Sequence, residues 1–101
     1  MWHKICLLSE LDPLMGRYAE IGDRQIAVFK LEDGTLYAID NLCPHQTGPL
    51  CRGDVQNGKV LCPWHGWEFE LATGQCTHIP NTKVEVFETK IEDDHIFVKM
   101  I

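Results

Sequence analysis

Cys43-Pro44-His45 and Cys62-Pro63-Trp64-His65 are the two stretches that decide how this chain reads. Sixteen residues, 46 to 61, separate them. Each stretch offers one thiolate and one imidazole, in the order C-x-H … C-x-x-H. Two metal ions can divide such a set, one taking both sulfurs and the other both nitrogens. A zinc finger keeps its cysteines together and its histidines together, as C-x₂₋₄-C followed by H-x₃₋₅-H. Here they are interleaved, although the same four residues could still hold one structural zinc.

Around these stretches the texture of the chain changes. Pro44, Pro49 and Pro63, and Gly48, Gly53, Gly58 and Gly66, all fall between Asn41 and Gly66, with Gly74 and Pro80 following. Asn57-Gly58 is the strongest two-residue hairpin signal in the sequence and joins the two ligand loops. Trp67 to Leu71 then reads as a strand turning at Ala72-Thr73-Gly74. Residues from about 40 to 82 therefore form a small metal-binding subdomain inserted into a single domain spanning 1–101.

Outside it, the chain reads as strands and tight turns. Arg24 to Leu31 alternates, with Ala27, Phe29 and Leu31 on one face and Ile26 and Val28 on the other. Glu32-Asp33-Gly34 is a turn, and Thr35 to Ile39 completes a hairpin. Gly16 to Ile21 is a further strand, turning at Gly22-Asp23. Lys83 to Ile91 and His95 to Met100 are two more, flanking a solvated turn at Glu92-Asp93-Asp94. No segment sustains a 3.6-residue apolar period, and Ser9 to Met15 holds at most a short helical turn. The fold class is all-β.

The motif Cys43-Pro44-His45-Gln46-Thr47-Gly48-Pro49-Leu50, then Cys62-Pro63-Trp64-His65-Gly66-Trp67, resembles the two cluster loops of Rieske-type ferredoxins. The flanking strands are similar to that family's scaffold, an antiparallel β-sandwich or barrel. The resemblance implies one [2Fe–2S] cluster per chain, with Cys43 and Cys62 on an inner iron and His45 and His65 on an outer, more exposed one. Replacing two thiolates by neutral imidazoles removes two negative charges from the ligand shell. Adding an electron becomes easier, and the class spans roughly −150 to +300 mV. Hydrogen bonds from loop N–H groups to sulfur act in the same direction. Gly48, Gly53 and Gly66 suit such a close approach, and Pro44 and Pro63 stiffen the loops. The segment around Ile79-Pro80-Asn81 is placed as a third loop over the cluster.

High-potential members of the wider family join their two loops by a disulfide, and they carry a membrane anchor. Gly48 and Trp64 stand where those cysteines would be, so the resemblance is to the soluble, disulfide-free, low-potential branch. It implies a one-electron carrier, with no catalytic residues of its own. Electrons would pass from a reductase, flavin-dependent by the resemblance, to the terminal oxygenase of an aromatic-ring dioxygenase system or to another oxidoreductase. A small Rieske subunit of a nitrite reductase-type complex is the alternative, and a zinc-holding interaction module a third. A self-contained oxygenase would need a second domain holding mononuclear iron through two His and a carboxylate. His3, His78 and His95 are too scattered to supply it.

With 101 residues and a formal charge of −6, the chain has room for one small domain and lacks the basic patch that nucleic acids or anionic membranes require. The N-terminus shows no signal peptide, and no apolar run reaches the roughly 18–20 residues of a membrane span. Five cysteines, an odd number, argue against a secreted disulfide scaffold. The expected location is the cytoplasm, where Cys51 and Cys76 stay reduced and Cys6 is a small buried hydrophobe. Trp67 is assigned to the core and Trp64 to the rim of the site.

Overall fold

A computed structural model describes residues 1–12, 15–43, 48–64 and 66–100. Its central strand is β3 (Arg24–Lys30), which pairs antiparallel on one side with β2 (Arg17–Ile21) and on the other with β4 (Leu36–Asp40). Both faces of β3 are buried. Ala27 and Phe29 point into one core together with Ile39, Leu50, Val60, Phe69 and Leu71. Ile26 and Val28 point into another with Cys6, Leu11, Ala38, Phe87, Ile96 and Val98. The two-residue period of a strand sends successive side chains to opposite sides. The alternation legible in the sequence is therefore a wall between two cores.

The second core is closed by a three-stranded antiparallel sheet in the order β1-β10-β9, made of β1 (Trp2–Leu7), β10 (His95–Lys99) and β9 (Thr89–Glu92). A bulge between Lys4 and Cys6 shifts the register of β1, and Cys6 is buried as expected. The first core is closed by a sheet of three short strands, β5 (Asp54–Gln56), β6 (Lys59–Leu61) and β7 (Glu68–Glu70). Among the described residues of the stretch Ser9 to Met15, Ser9 and Glu10 belong to the 3-10 turn Leu8–Glu10.

Turns fall where turn chemistry puts them. Asn57 and Gly58 both take positive φ, 53° and 75°, the requirement of a type I′ hairpin, and Asp93 and Asp94 do the same at 51° and 61°. One strand divides in two. The run expected from Lys83 to Ile91 splits into β8 (Val86–Phe87), which joins β4, and β9, which joins β10. Glu88 is the crossing point, its carbonyl accepting from the Lys99 N–H at 2.9 Å. Arg24 ties this crossing to β3, since its guanidinium meets Glu85 at 2.9 Å and lies 5.3 Å from the Phe87 ring centroid. Both partners of that ion pair are well exposed, so it contributes little stability.

Two glycines separate backbone strain from crowding. Gly34 and Gly74 both have positive φ, 89° and 79°. A Cβ at Gly34 would meet nothing, whereas at Gly74 it would fall 2.1 Å from the Val84 carbonyl oxygen. Gly34→Ala should therefore cost about 1 kcal/mol from φ alone. Gly74→Ala should cost about 3 kcal/mol, because backbone must also move. Urea unfolding midpoints of the two variants against the parent check this; equal losses would contradict it.

Candidate metal centre

The first ligand loop begins where β4 ends, and Asn41 fixes it there. Asn41 is only 2% exposed, and all three of its described hydrogen bonds are to backbone. Its N–H donates to the Gln25 carbonyl at 2.9 Å, and its carbonyl accepts from the Leu50 N–H at 2.7 Å. Its Oδ1 accepts from the Cys51 N–H at 2.8 Å. One side chain thus joins β3, the start of the loop and the 3-10 turn Leu50–Arg52 that closes it. Within this frame Leu42 bridges to Pro49, and the Cys43 N–H donates to the Gly48 carbonyl at 3.0 Å. Cys43 is completely buried in the first core.

The second loop leaves β6 and returns as β7. The Cys62 N–H donates to the Trp67 carbonyl at 2.7 Å, and the Gly66 N–H donates back to the Cys62 carbonyl at 3.0 Å. Gly66, with φ at 78°, makes the reversal possible. Cys62 is 1% exposed, yet Trp64, two residues on, is 60% exposed. The loop therefore runs from core to surface in two steps. Trp67 packs against the first core, and Trp64 lies at the rim, as the sequence suggested.

The loops meet at Gly48. A Cβ there would lie 2.7 Å from Cys62 Sγ and 3.3 Å from Trp64 Cγ. The sulfur of the second loop is seated directly on the backbone of the first, and only glycine permits it. Of the three glycines expected at the sulfurs, Gly48 is the one with a cysteine sulfur of the described residues beside its would-be Cβ. Gly53 is crowded instead by the Leu61 carbonyl, 2.1 Å from its would-be Cβ, so it serves the approach of β6. A Cβ on Gly66 would meet nothing. The Cys43, Cys62 and Gly66 amides each donate to a backbone carbonyl, of Gly48, Trp67 and Cys62 respectively.

His45 and His65 lie outside the described residues, as do Pro44, Gln46 and Thr47. Among the described residues, no group of three or more His, Cys, Asp or Glu side chains gathers at one point. His3 sits on β1, His78 in the turns beyond β7, and His95 at the start of β10, where its Nδ1 lies 2.9 Å from the Asp93 carbonyl oxygen. Cys6, Cys51 and Cys76 are buried thiols outside any disulfide. Burial pushes the Cys51 thiol above its ordinary pKa, as it does that of Cys6, which keeps both neutral and unreactive. Two fully buried sulfurs on loops that touch at one glycine suit a thiolate-held iron centre, which needs both sulfurs shielded from water.

A model of the Rieske-like [2Fe–2S] domain matches residues 1–99. The chain belongs to that family. Its cofactor is accordingly a Rieske-type [2Fe–2S] cluster, which decides against the zinc alternative. This Rieske-like domain is 31% identical over 96 residues to human apoptosis-inducing factor 3, covering 94% of the chain and 16% of the relative. The chain spans 15–23% of the length of eight curated relatives that it matches. Among solved structures, it superposes with TM-score 0.94 on a Mycobacterium tuberculosis protein assigned as an NADH-dependent nitrite reductase small subunit. That pair is 27% identical and covers 100% of this chain and 96% of the other. The ferredoxin of carbazole 1,9a-dioxygenase from Nocardioides aromaticivorans IC177 superposes with TM-score 0.88 at 25% identity, covering 97% and 96%.

Asn41 is the site-shaping residue that sequence reasoning passed over. Its one signal is a polar side chain two residues after the apolar Ala38-Ile39 pair and two residues before Cys43. Asn41→Ala strands the buried Cys51 N–H and should cost about 1–3 kcal/mol. Unfolding midpoints measure the loss, and iron content per chain should fall with it. A midpoint within error of the parent would contradict this role.

Proposed function

We propose that Cys43, His45, Cys62 and His65 hold the cluster, within a subdomain of residues 40–82, and that the chain is a one-electron carrier. The carrying observation is the seating of buried Cys62 Sγ on Gly48, which brings the two predicted ligand loops to one point. When bound, the cluster supplies a single reversible electron. The protein's own contribution is positional. Asn41 and the Cys43–Gly48 bond fix the first loop, and the Gly66 reversal fixes the second. Burial of Cys43 and Cys62 keeps water from the sulfur side, and the exposed Trp64 shows where the second loop reaches the surface. Electrons would enter and leave there, through the edges of His45 and His65.

The donor in this reading is a flavin-dependent reductase, and the acceptor a terminal oxygenase or another oxidoreductase, in the cytoplasm. Likeness to the carbazole dioxygenase ferredoxin over nearly the full length of both chains supports it. The chain itself carries no catalytic residue. Among the described residues, no helix is long and apolar enough to cross a membrane. The likeness to the nitrite reductase small subunit favours a second reading, membership of a nitrite reductase-type complex. Stable co-purification with a large reductase subunit distinguishes that reading from transient exchange with an oxygenase.

Visible absorption and EPR spectra before and after dithionite test the assignment. The expected result is a red-brown protein whose reduced form gives a rhombic signal with average g below that of four-cysteine clusters. A colourless protein with stoichiometric zinc would overturn it. Cys43→Ser or Cys62→Ser should lose most of the cluster. His45→Cys or His65→Cys should restore one negative charge and lower the potential by on the order of 100 mV, part of the gap to four-cysteine clusters.

A further inference from the structure

Trp64 is a large apolar side chain left 60% exposed beside a site whose sulfurs are fully buried. Its exposure is not that of an idle surface residue, because one edge of the indole is anchored. Trp64 Cγ and Cδ2 lie 3.3 and 3.4 Å from the point where a Gly48 Cβ would stand. Cys62 Sγ lies 2.7 Å from that same point. Indole and sulfur thus flank one backbone position of the opposite loop. Three described backbone bonds each close within one loop, from Cys43 to Gly48 in the first, and from Cys62 to Trp67 and Gly66 to Cys62 in the second. The Gly48–Trp64 contact instead crosses from one loop to the other.

We propose that Trp64 is a positioning residue: its indole, seated on Gly48, clasps the second ligand loop to the first and holds Cys62 Sγ in register with the first loop. The inference rests on the assignment of Cys43 and Cys62 as ligands. The indole is suited to the task, since a rigid aromatic ring loses little conformational freedom when one face is fixed. Glycine opposite it offers a flat backbone surface with no competing side chain. The absence of a side chain at 48 and the presence of a large one at 64 are thus one feature.

The test is amide hydrogen exchange on the full chain, with and without cluster. Its reporter is the Cys43 N–H, which lies in the loop that does not contain Trp64. Trp64→Ala should speed Cys43 exchange by about tenfold, the value of an aromatic contact, with far-UV circular dichroism unchanged. Trp64→Phe, which keeps an aromatic face over Gly48, should restore most of the protection. In the loaded protein, loss of visible absorbance to a chelator should follow the same order across the three proteins. If Trp64→Ala leaves Cys43 exchange at the parent rate and disturbs only amides of residues 62–67, the clasp is overturned, and Trp64 is left as a rim residue open to a partner. Failure of the carrier reading is separate. It would show as a parent protein without iron or acid-labile sulfide, while exchange in the metal-free chain still decides the clasp.

Discussion

Two loops can share one buried centre only if their backbones come closer than side chains normally allow. In this chain that approach is made at Gly48, on whose backbone Cys62 Sγ rests. Much of the surrounding structure serves that contact. Asn41 fixes where the first loop starts and ends, and Gly53 lets β6 approach so that the second loop begins at the right depth. Phe29 and Ile39 on the β3–β4 wall belong to the same buried core as both cysteines. A single Cβ at position 48 would set these elements against one another, and little inside a close-packed core can yield.

The β3 wall also couples the two ends of the molecule. Phe29 packs beneath the ligand loops while Val28, its neighbour, packs against Ile96 and Val98 on the far side. The two cores therefore share one strand, whose opposite faces each close one of them. Loosening one face of β3 loosens the strand that the other face needs. The described ends of the ligand loops are tied to this wall, through Asn41 to the Gln25 carbonyl on β3 and to the Cys51 N–H. Rigid placement of ligands suits a centre that must change charge without rearranging.

Much of this was legible in the residues. The alternation of Ile26, Ala27, Val28 and Phe29 named both cores, because strand period alone assigns faces. Asn57-Gly58 announced its hairpin, since few other residues tolerate two successive positive φ values. The ligand pattern named the family. The division of the 83–91 run was not legible. Val84, Val86 and Phe87 continue the strand pattern without a break, and only the competition between β4 and β10 for hydrogen bonds places the crossing at Glu88. The separate duties of Gly48, Gly53 and Gly66 were likewise hidden, because a glycine in sequence does not say what its missing side chain would have struck. The sequence marked Gly48 for close approach to sulfur and Trp64 for the rim, and both as places where the disulfide-bearing branch carries cysteines. It did not show that the Trp64 ring would lie 3.3 Å from where a Gly48 Cβ would stand.

The pairing of β1 with β10 has a consequence for architecture at large. Trp2 lies opposite Lys99, and the Met100 N–H donates to the Met1 carbonyl at 2.9 Å, so the first and last strands run side by side in one sheet. A polypeptide entering this fold and one leaving it do so through the same doorway. Such a unit can be spliced into a longer protein at a single point, with neither core disturbed and no long connection needed to carry the chain onward. That geometry suits longer relatives such as human apoptosis-inducing factor 3, in which the matching segment is 16% of the length. There the matching segment is a small part of a much longer chain.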